Sequence, residues 1–311
     1  MNRAEGILFS TLERGDRNIN TSHEEAIVMV GLSRAGKSTA FNWMLKTPMV
    51  GKGGRNSEYV NIVSEDPTAA KLGGSFKSVT LAPNVFRDFI RIETTTETTT
   101  EITKVSLVDM AGFEDSRDFV GVIGVSYFLK ALFEKVRRVK FVIVFSESRF
   151  IEETGAGIIN TFNGFFNMFR FDLMTQEMKE KLIQSIGILV TRSKEGAYHF
   201  DYMKELIEKL NDKEIMVENR ELIIEFLKKL VLQARTEEFK KAKDNENPEN
   251  CEFVERWNEK LNWSFFDLNE VEAELKESVI SVPFHRDFDK LIEEQKNKFT
   301  TAIEQRVASY Y

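Results

Sequence analysis

The residues most able to do chemistry lie in one short loop, where the sequence runs Gly31-x-x-x-x-Gly36-Lys37-Ser38. Glycines let a backbone curl so that successive amides point inward at anionic oxygens. A lysine ammonium can reach the outer phosphates of a nucleotide, and a serine hydroxyl can bind Mg²⁺. An apolar run at residues 26–30 precedes the loop as a buried strand would, and residues 39–46 follow as a helix. In this context the pattern predicts a site for a nucleoside polyphosphate with Mg²⁺, rather than a glycine-rich turn with an incidental lysine.

Eight residues of this loop are candidates for nucleotide binding through amides, a cation or hydroxyl groups. They are Gly31, Ser33, Arg34, Ala35, Gly36, Lys37, Ser38 and Thr39. The partial positive charge at the start of the following helix adds to the attraction for phosphate. We expect Lys37→Ala to abolish nucleotide affinity and to leave the fold intact, because an exposed loop lysine supports little packing.

A second motif ends an apolar run further along the chain, where Val-Ser-Leu-Val precedes Asp109 and Gly112 follows three residues later. An aspartate at the end of a strand beside a phosphate-binding loop can hold Mg²⁺ through a water. The amide of Gly112 would contact the γ-phosphate, so that loss of this phosphate releases the following segment. The alternative is an ordinary aspartate turn.

A hydroxyl from the segment after the first helix must complete such a metal site. Thr80 is our choice, and Ser75 and Ser78 are its rivals. Any of the three could instead be an ordinary loop hydroxyl. The predicted metal-binding set is therefore Ser38, Thr80 and Asp109.

Strand and helix patterns alternate through the first two thirds of the chain, which predicts a mostly parallel α/β sheet covered on both faces. The threonine-rich residues 94–101 are interpreted as the tip of a hairpin between antiparallel strands. Four phenylalanines repeat at helical spacing and are interpreted as core rather than as a partner-binding face: Phe162, Phe165, Phe166 and Phe169. The strands predicted after the loop are residues 85–93, 102–108, 140–145 and 186–191.

From about residue 201 the pattern changes to long helices. We interpret residues 201–277 as a helical insertion in a sheet domain made of residues 23–200 and 278–311, with residues 1–22 as an N-terminal leader. This division requires residues 278–283 to form a last short strand. Otherwise residues 201–277 would be a separate helical domain.

Composition narrows the classes of partner. A net charge of −7 does not favour binding to nucleic acid, which is itself negatively charged. The single cysteine, Cys251, excludes an internal disulfide and suits a reducing compartment. No apolar run approaches the length of a transmembrane segment, and the N-terminus lacks the apolar centre of a signal peptide. These features predict a cytoplasmic protein.

The two motifs and the segment between them resemble the dynamin-related large GTPases, most closely the guanylate-binding proteins. That group has G-L-Y-R-T-G-K-S in the loop, where this chain has GLSRAGKS. The first switch of the group reads L-G-S-T-x-x-S-H-T, against LGGSFKSVT at residues 72–80, and its third motif L-D-T-E-G-L stands against VDMAGF at residues 108–113. The resemblance covers roughly the first 120 residues. It implies a three-layer P-loop GTPase fold, GTP and GDP with Mg²⁺ as ligands, and nucleotide-dependent homodimerisation across the binding face.

The resemblance also implies an internal arginine finger at Arg34, which would swing over the β- and γ-phosphates. The alternative is that Arg34 lies in solvent or pairs with a carboxylate. Phe113 stands where many small GTPases carry a water-orienting glutamine. Slow turnover without a partner follows from this replacement.

The expected base-reading motif departs from the usual pattern. After the strand, the chain reads Thr191-Arg192-Ser193-Lys194-Glu195, whose Thr-Arg start is similar to septin-like and immunity-associated GTPases. Arg192 could lie along the base through its stem and planar head. Lys194 occupies the acidic position, however, and an ammonium cannot accept the hydrogen bonds of guanine. Glu195 would substitute only if the loop shifted by one residue.

Three hypotheses remain at this point. The first is a GTP-binding and GTP-hydrolysing switch that acts through nucleotide-dependent association, with Arg34, Lys37 and Thr80 as catalytic residues and Thr191 and Arg192 beside the base. The second is a nucleotide-stabilised scaffold with negligible turnover. The third is a P-loop ATPase, because a strand ending in aspartate serves ATPases equally well.

Overall fold

The structure is a computed structural model that describes residues 3–45, 47–53, 60–63, 69–72, 80, 82–95, 100–112, 119–150, 155–166, 174–191, 199–212, 220–227 and 266–267. The strands are β1 Glu25–Val30, β2 Val50–Gly53, β3 Val60–Val63, β4 Asn84–Thr95, β5 Thr100–Asp109, β6 Arg138–Ser146, β7 Ile186–Thr191 and β8 Phe266–Asp267. The helices are α1 Arg3–Asn20, α2 Lys37–Met44, α3 Phe119–Lys135, α4 Glu147–Phe150, α5 Ala156–Phe166, α6 Gln176–Gln184, α7 His199–Asn211 and α8 Arg220–Leu227.

The main sheet has the strand order β4-β5-β1-β6-β7. Strand β1 runs parallel to β5 and β6, and β6 runs parallel to β7. Strand β4 is antiparallel to β5, so the prediction of a mostly parallel sheet with one antiparallel hairpin strand is confirmed. Strand β8 pairs with the start of β6, and β2 and β3 form a separate two-stranded hairpin.

The apolar runs of β1, β6 and β7 are continuous because side chains from these strands are buried on both faces of the sheet. One face carries Val28, Phe141 and Phe145 and packs against α3 and α5. The opposite face carries Ile27 and packs against Phe41 of α2. The alternation follows from the two-residue period of a strand.

Three of the four phenylalanines at helical spacing belong to the core, as predicted. Phe162, Phe165 and Phe166 on α5 are buried. The ring of Phe165 lies 5.1 Å from that of Phe141, edge to face, a favourable arrangement for aromatic pairs. Phe169 lies outside the described residues.

Several boundaries differ from the sequence predictions. Thr94 and Thr95 pair with Glu101 and Thr100, so the hairpin strands extend into the stretch predicted as its tip. Threonine favours this because it is β-branched. The helix after the loop runs Lys37–Met44, two residues earlier than predicted. The β2–β3 hairpin has no counterpart in the sequence predictions.

The predicted division into domains stays a prediction, because residues 278–311 lie outside the described part of the chain. Within residues 1–22, helix α1 packs against α3 and β4. Within residues 201–277, β8 pairs antiparallel with the first two residues of β6. Among the described helices, none combines the length and apolar character required to cross a bilayer.

Candidate functional site

The loop after β1 has the backbone conformation that its glycines allow. Gly31 has a φ of 138° and Gly36 a φ of 92°, both in the region that favours glycine. A Cβ at Gly31 would also meet the Val144 carbonyl oxygen of β6. Both glycines are therefore required for the chain to turn tightly between β1 and α2.

Lys37 is buried in the loop, with 6% of its surface exposed. Its ammonium donates hydrogen bonds to the carbonyl oxygens of Gly31 at 3.1 Å and Leu32 at 2.8 Å. The assumption that Lys37 is an exposed loop lysine is therefore wrong. The loop backbone curls around the Lys37 ammonium, because the Gly31 and Leu32 carbonyls point toward Lys37 at the start of α2.

Ser38, Thr80 and Asp109 meet at the carboxyl end of β5. The Ser38 hydroxyl donates to Asp109 Oδ2 at 2.7 Å and lies 2.9 Å from the Thr80 hydroxyl. Because the single Ser38 proton points at the carboxylate, Thr80 is the donor in the second bond. Strand pairing brings these groups together, since Met29, the residue before the last in β1, is in register with Asp109.

Asp109 is fully buried, and burial raises its pKa above the ordinary value, partly offset by the Ser38 hydrogen bond, the Lys37 charge and Asn84. Asn84 lies directly across from Asp109 in the β4–β5 pair and donates to Oδ2 at 3.1 Å. No pattern in the sequence points to Asn84, because an asparagine after a proline at the start of a strand is an ordinary turn signal.

The oxygen atoms of this cluster fit a magnesium ion. Asp109 Oδ1 is buried and has no hydrogen-bond partner among the described residues. The Ser38 hydroxyl donates to the other carboxylate oxygen, Oδ2, and the Thr80 hydroxyl is hydrogen-bonded to the Ser38 hydroxyl. Carboxylate and hydroxyl oxygens are ligands that a hard cation prefers, and a cation would relieve the burial of the Asp109 charge.

Gly112 packs directly against the loop at Ser33. A Cβ at this position would lie 2.6 Å from Ser33 Cα and 2.7 Å from Ser33 Oγ, so only glycine fits without a shift of the loop backbone. The Ser33 hydroxyl oxygen is buried and, within the described part of the chain, has no hydrogen-bond partner. The segment after β5 is thus in direct contact with the candidate phosphate-binding loop.

Thr191 joins the end of β7 to the same loop. Its hydroxyl donates to the Ala35 carbonyl at 2.5 Å and lies 3.2 Å from the Phe145 carbonyl oxygen. A Cβ at Gly36 would lie 3.0 Å from the Thr191 hydroxyl oxygen. The strand that leads to the predicted base-reading motif therefore sets the position of the loop.

The remaining candidates have different positions. Arg34 is exposed and is the one non-glycine residue with positive φ, 69°, among the described residues. Thr39 is half-buried in the first turn of α2. Six residues discussed for the switches and the base-reading motif lie, among others, outside the described part of the chain: Ser75, Ser78, Phe113, Arg192, Lys194 and Glu195.

No protein-family model and no curated protein matches this chain. Similar solved structures include the signal recognition particle receptor SRb-GTP/SRX complex from Chaetomium thermophilum, with 12% identity and a TM-score of 0.32 over 68% of this chain and 89% of that one. An oligomerised bacterial dynamin pair has 12% identity and a TM-score of 0.41 over 97% of this chain and 46% of that one. Toc33 from Arabidopsis thaliana, in complex with GDP and Mg²⁺, has 11% identity and a TM-score of 0.35 over 90% and 94% of the two chains.

These likenesses are too weak to define a relationship, and the fold is assigned from the chain itself. A glycine loop joins the central strand β1 to α2. The neighbouring parallel strand β5 delivers an aspartate to the serine that follows the loop lysine. The protein is an α/β protein with a P-loop-type fold.

Proposed function

We propose that this protein binds a nucleoside triphosphate with Mg²⁺, prefers guanine, and hydrolyses the nucleotide as a molecular switch. The observation that carries the proposal is the meeting of Ser38, Thr80 and Asp109 oxygens at hydrogen-bonding distance beside the curled loop. Thr80 is separated from Ser38 by 42 residues, so its arrival there requires the fold. Asp109 Oδ1, which has no hydrogen-bond partner among the residues that the structure describes, adds an acceptor that a cation would satisfy.

Each group has a role that follows from its chemistry. The loop amides and Lys37 would bind the β- and γ-phosphates, with the ammonium exchanging its carbonyl partners for phosphate oxygens. Ser38, Thr80 and Asp109 would hold Mg²⁺, which when bound neutralises charge on the phosphate oxygens. Arg34, exposed in the loop, would reach the same phosphates as negative charge develops during attack by water.

The switch role is supported by two contacts, one with the loop and one with the first turn of the helix that follows it. Thr80 touches Ser38, and Gly112 lies against Ser33. In the proposal, binding and loss of the γ-phosphate move both segments and change a protein interface. A dimer of the dynamin-related type, formed across this face, is the arrangement that the sequence motifs favour.

Guanine preference is the finer part of the proposal. It is supported by Thr191, which starts the Thr-Arg motif and contacts the loop at Ala35 and Gly36. A base-reading segment that leaves β7 at this point begins close to the phosphate site. The other base-contacting candidate is Arg192.

Titration with fluorescent GDP, GTP and ATP analogues tests binding and base preference. We expect saturable binding that is tighter for the guanine analogues. In Ser38→Ala, we expect Mg²⁺ to raise nucleotide affinity less than it does in wild type. Because Ser10 is an exposed residue of α1, outside the loop, Ser10→Ala serves as a matched control. Absence of binding by any of the nucleotides would refute the proposal, and tighter binding of ATP than of GTP would assign the site to an ATPase.

Phosphate release at several protein concentrations tests the enzymatic part. We expect slow GTP hydrolysis that rises more than in proportion to protein concentration if the protein associates. Release no greater than that of Lys37→Ala at every concentration would leave the nucleotide-stabilised scaffold as the function. Analytical ultracentrifugation with GDP and with a non-hydrolysable GTP analogue measures the association directly.

A further inference from the structure

The last turn of α1 contacts the stretch that carries Thr80, although α1 belongs to no nucleotide motif. The side-chain amide of Asn18 donates a hydrogen bond of 2.8 Å to the carbonyl oxygen of Pro83. Pro83 follows Thr80 by three residues and immediately precedes Asn84, which donates to Asp109. Asn18 therefore holds a stretch whose two ends contact the candidate metal site.

The Pro83 carbonyl is a point at which this stretch can be held firmly. Pro83 is buried, and its ring restricts the backbone at that residue. A buried carbonyl without a donor costs free energy, so the bond from Asn18 favours one position of the chain. Fixing that carbonyl limits where Thr80, three residues earlier in the chain, can lie.

Asn18 is itself held by a fixed scaffold. Gly15, one turn earlier on α1, packs directly against the buried ring of Phe128 on α3. The Tyr127 hydroxyl donates to Asp16 at 2.8 Å. Ile19 is buried next to Asn18. The helix cannot follow a movement of Pro83 without breaking its contacts with α3.

We propose that Asn18 is a positioning residue for the nucleotide site, holding the Pro83 carbonyl so that the Thr80 hydroxyl stays beside Ser38. This inference rests on the proposed function. The positioning role predicts different effects on the affinities of two complexes. Thr80 would contact Mg²⁺ and the γ-phosphate of a bound triphosphate, whereas a diphosphate bound without metal depends on the loop alone. Removal of the Asn18 bond should therefore weaken the first kind of complex and spare the second.

Asn18→Asp tests the proposal with almost no change in shape. A carboxylate oxygen replaces the amide that donates, and a carboxylate cannot donate to a carbonyl. Asn20→Asp is the matched control, because it adds the same charge to an exposed residue of the same helix. Asn18→Ala lacks the donor without adding charge, and Asn18→Gln retains a donor on a longer side chain.

Two affinities are measured for each variant by fluorescence: a non-hydrolysable GTP analogue with Mg²⁺, and GDP with EDTA. For Asn18→Asp and Asn18→Ala we expect the first to weaken by about three- to tenfold, as the removal of one partly buried hydrogen bond allows. The GDP affinity should stay within about twofold of wild type, and Asn20→Asp should match wild type in both. Asn18→Gln should recover part of the affinity.

The outcomes separate this inference from the proposed function. If wild-type protein binds neither ligand, the proposed function itself fails. If wild type binds both and the Asn18 variants bind the Mg²⁺ complex as tightly as wild type, the positioning role is refuted. An equal weakening of both affinities, accompanied by a lower Tm, would assign Asn18 a purely structural role and overturn the inference in the same way.

Discussion

Replacing Lys37 by methionine removes one ammonium while keeping a long unbranched side chain in the loop. In the structure this ammonium donates hydrogen bonds to the Gly31 and Leu32 carbonyls, inside a buried environment. Its charge also lowers the pKa of Asp109, against the larger effect of burial. Lys37→Met should therefore destabilise the nucleotide-free protein as well as weaken nucleotide binding.

The expected size follows from these hydrogen bonds. Hydrogen bonds to charged groups contribute about 1.5–3 kcal/mol each, but taking the ammonium out of water offsets much of the sum. We expect the free energy of unfolding without nucleotide to fall by about 2 kcal/mol. The affinity should fall by less than the full strength of the bonds from Lys37 to phosphate, because the ammonium gives up its two carbonyl partners when nucleotide binds. We expect the binding free energy of the nucleotide to weaken by about 3 kcal/mol, which is about a hundredfold in affinity.

Equilibrium urea unfolding, followed by circular dichroism, measures the first quantity, and fluorescent-nucleotide titration measures the second. Lys130→Met is the control, because Lys130 is an exposed residue of α3 whose ion pair with Glu134 lies in solvent. Exposed pairs of this kind contribute about 0–1 kcal/mol. The control should therefore unfold close to wild type and bind nucleotide equally well.

Superimposable unfolding curves for wild type and Lys37→Met would refute the claim that the ammonium stabilises the empty loop. Unchanged nucleotide affinity would refute its role in phosphate binding. The two results are independent, so either part of the reasoning can fail alone.

Three further predictions concern other residues. Arg34→Ala should slow GTP hydrolysis by on the order of a hundredfold or more with nucleotide affinity nearly unchanged, and equal phosphate release in mutant and wild type would exclude a finger role. Thr191→Val should lose about 1–2 kcal/mol of stability and bind nucleotide more weakly, because the buried Ala35 carbonyl loses its donor; urea unfolding and titration check this, and Thr191→Ser should resemble wild type. Burial lowers the pKa of Lys140 from 10.5 to about 7, so the unfolded chain binds more protons than the folded one between these values and wild-type stability should rise with pH there. Lys140→Met should consequently be more stable than wild type at pH 7, by at most about 4–5 kcal/mol, and its advantage should shrink toward pH 10; a constant difference in urea unfolding across this range would contradict the reasoning.

The local parts of the site could be predicted from the sequence because they depend on short-range spacing. Gly31 and Gly36 bracket a loop that only a flexible backbone can make, and both have positive φ in the structure. Runs of apolar residues indicated β1, β6 and β7, since strands covered on both faces need no polar alternation. The position of Asp109 at a strand end followed from the same reasoning.

The partners within the site were decided by the tertiary structure alone. Asn84 and Asn18 have no periodicity or motif that marks them, yet they bond Asp109 and Pro83 across 25 and 65 residues of sequence. The burial of Lys37 likewise depends on carbonyls that face inward only after the loop has closed. A side-chain amide or ammonium can serve any nearby acceptor, so its partner is set by which strands and helices the folded chain brings together, and spacing along the sequence does not contain that information.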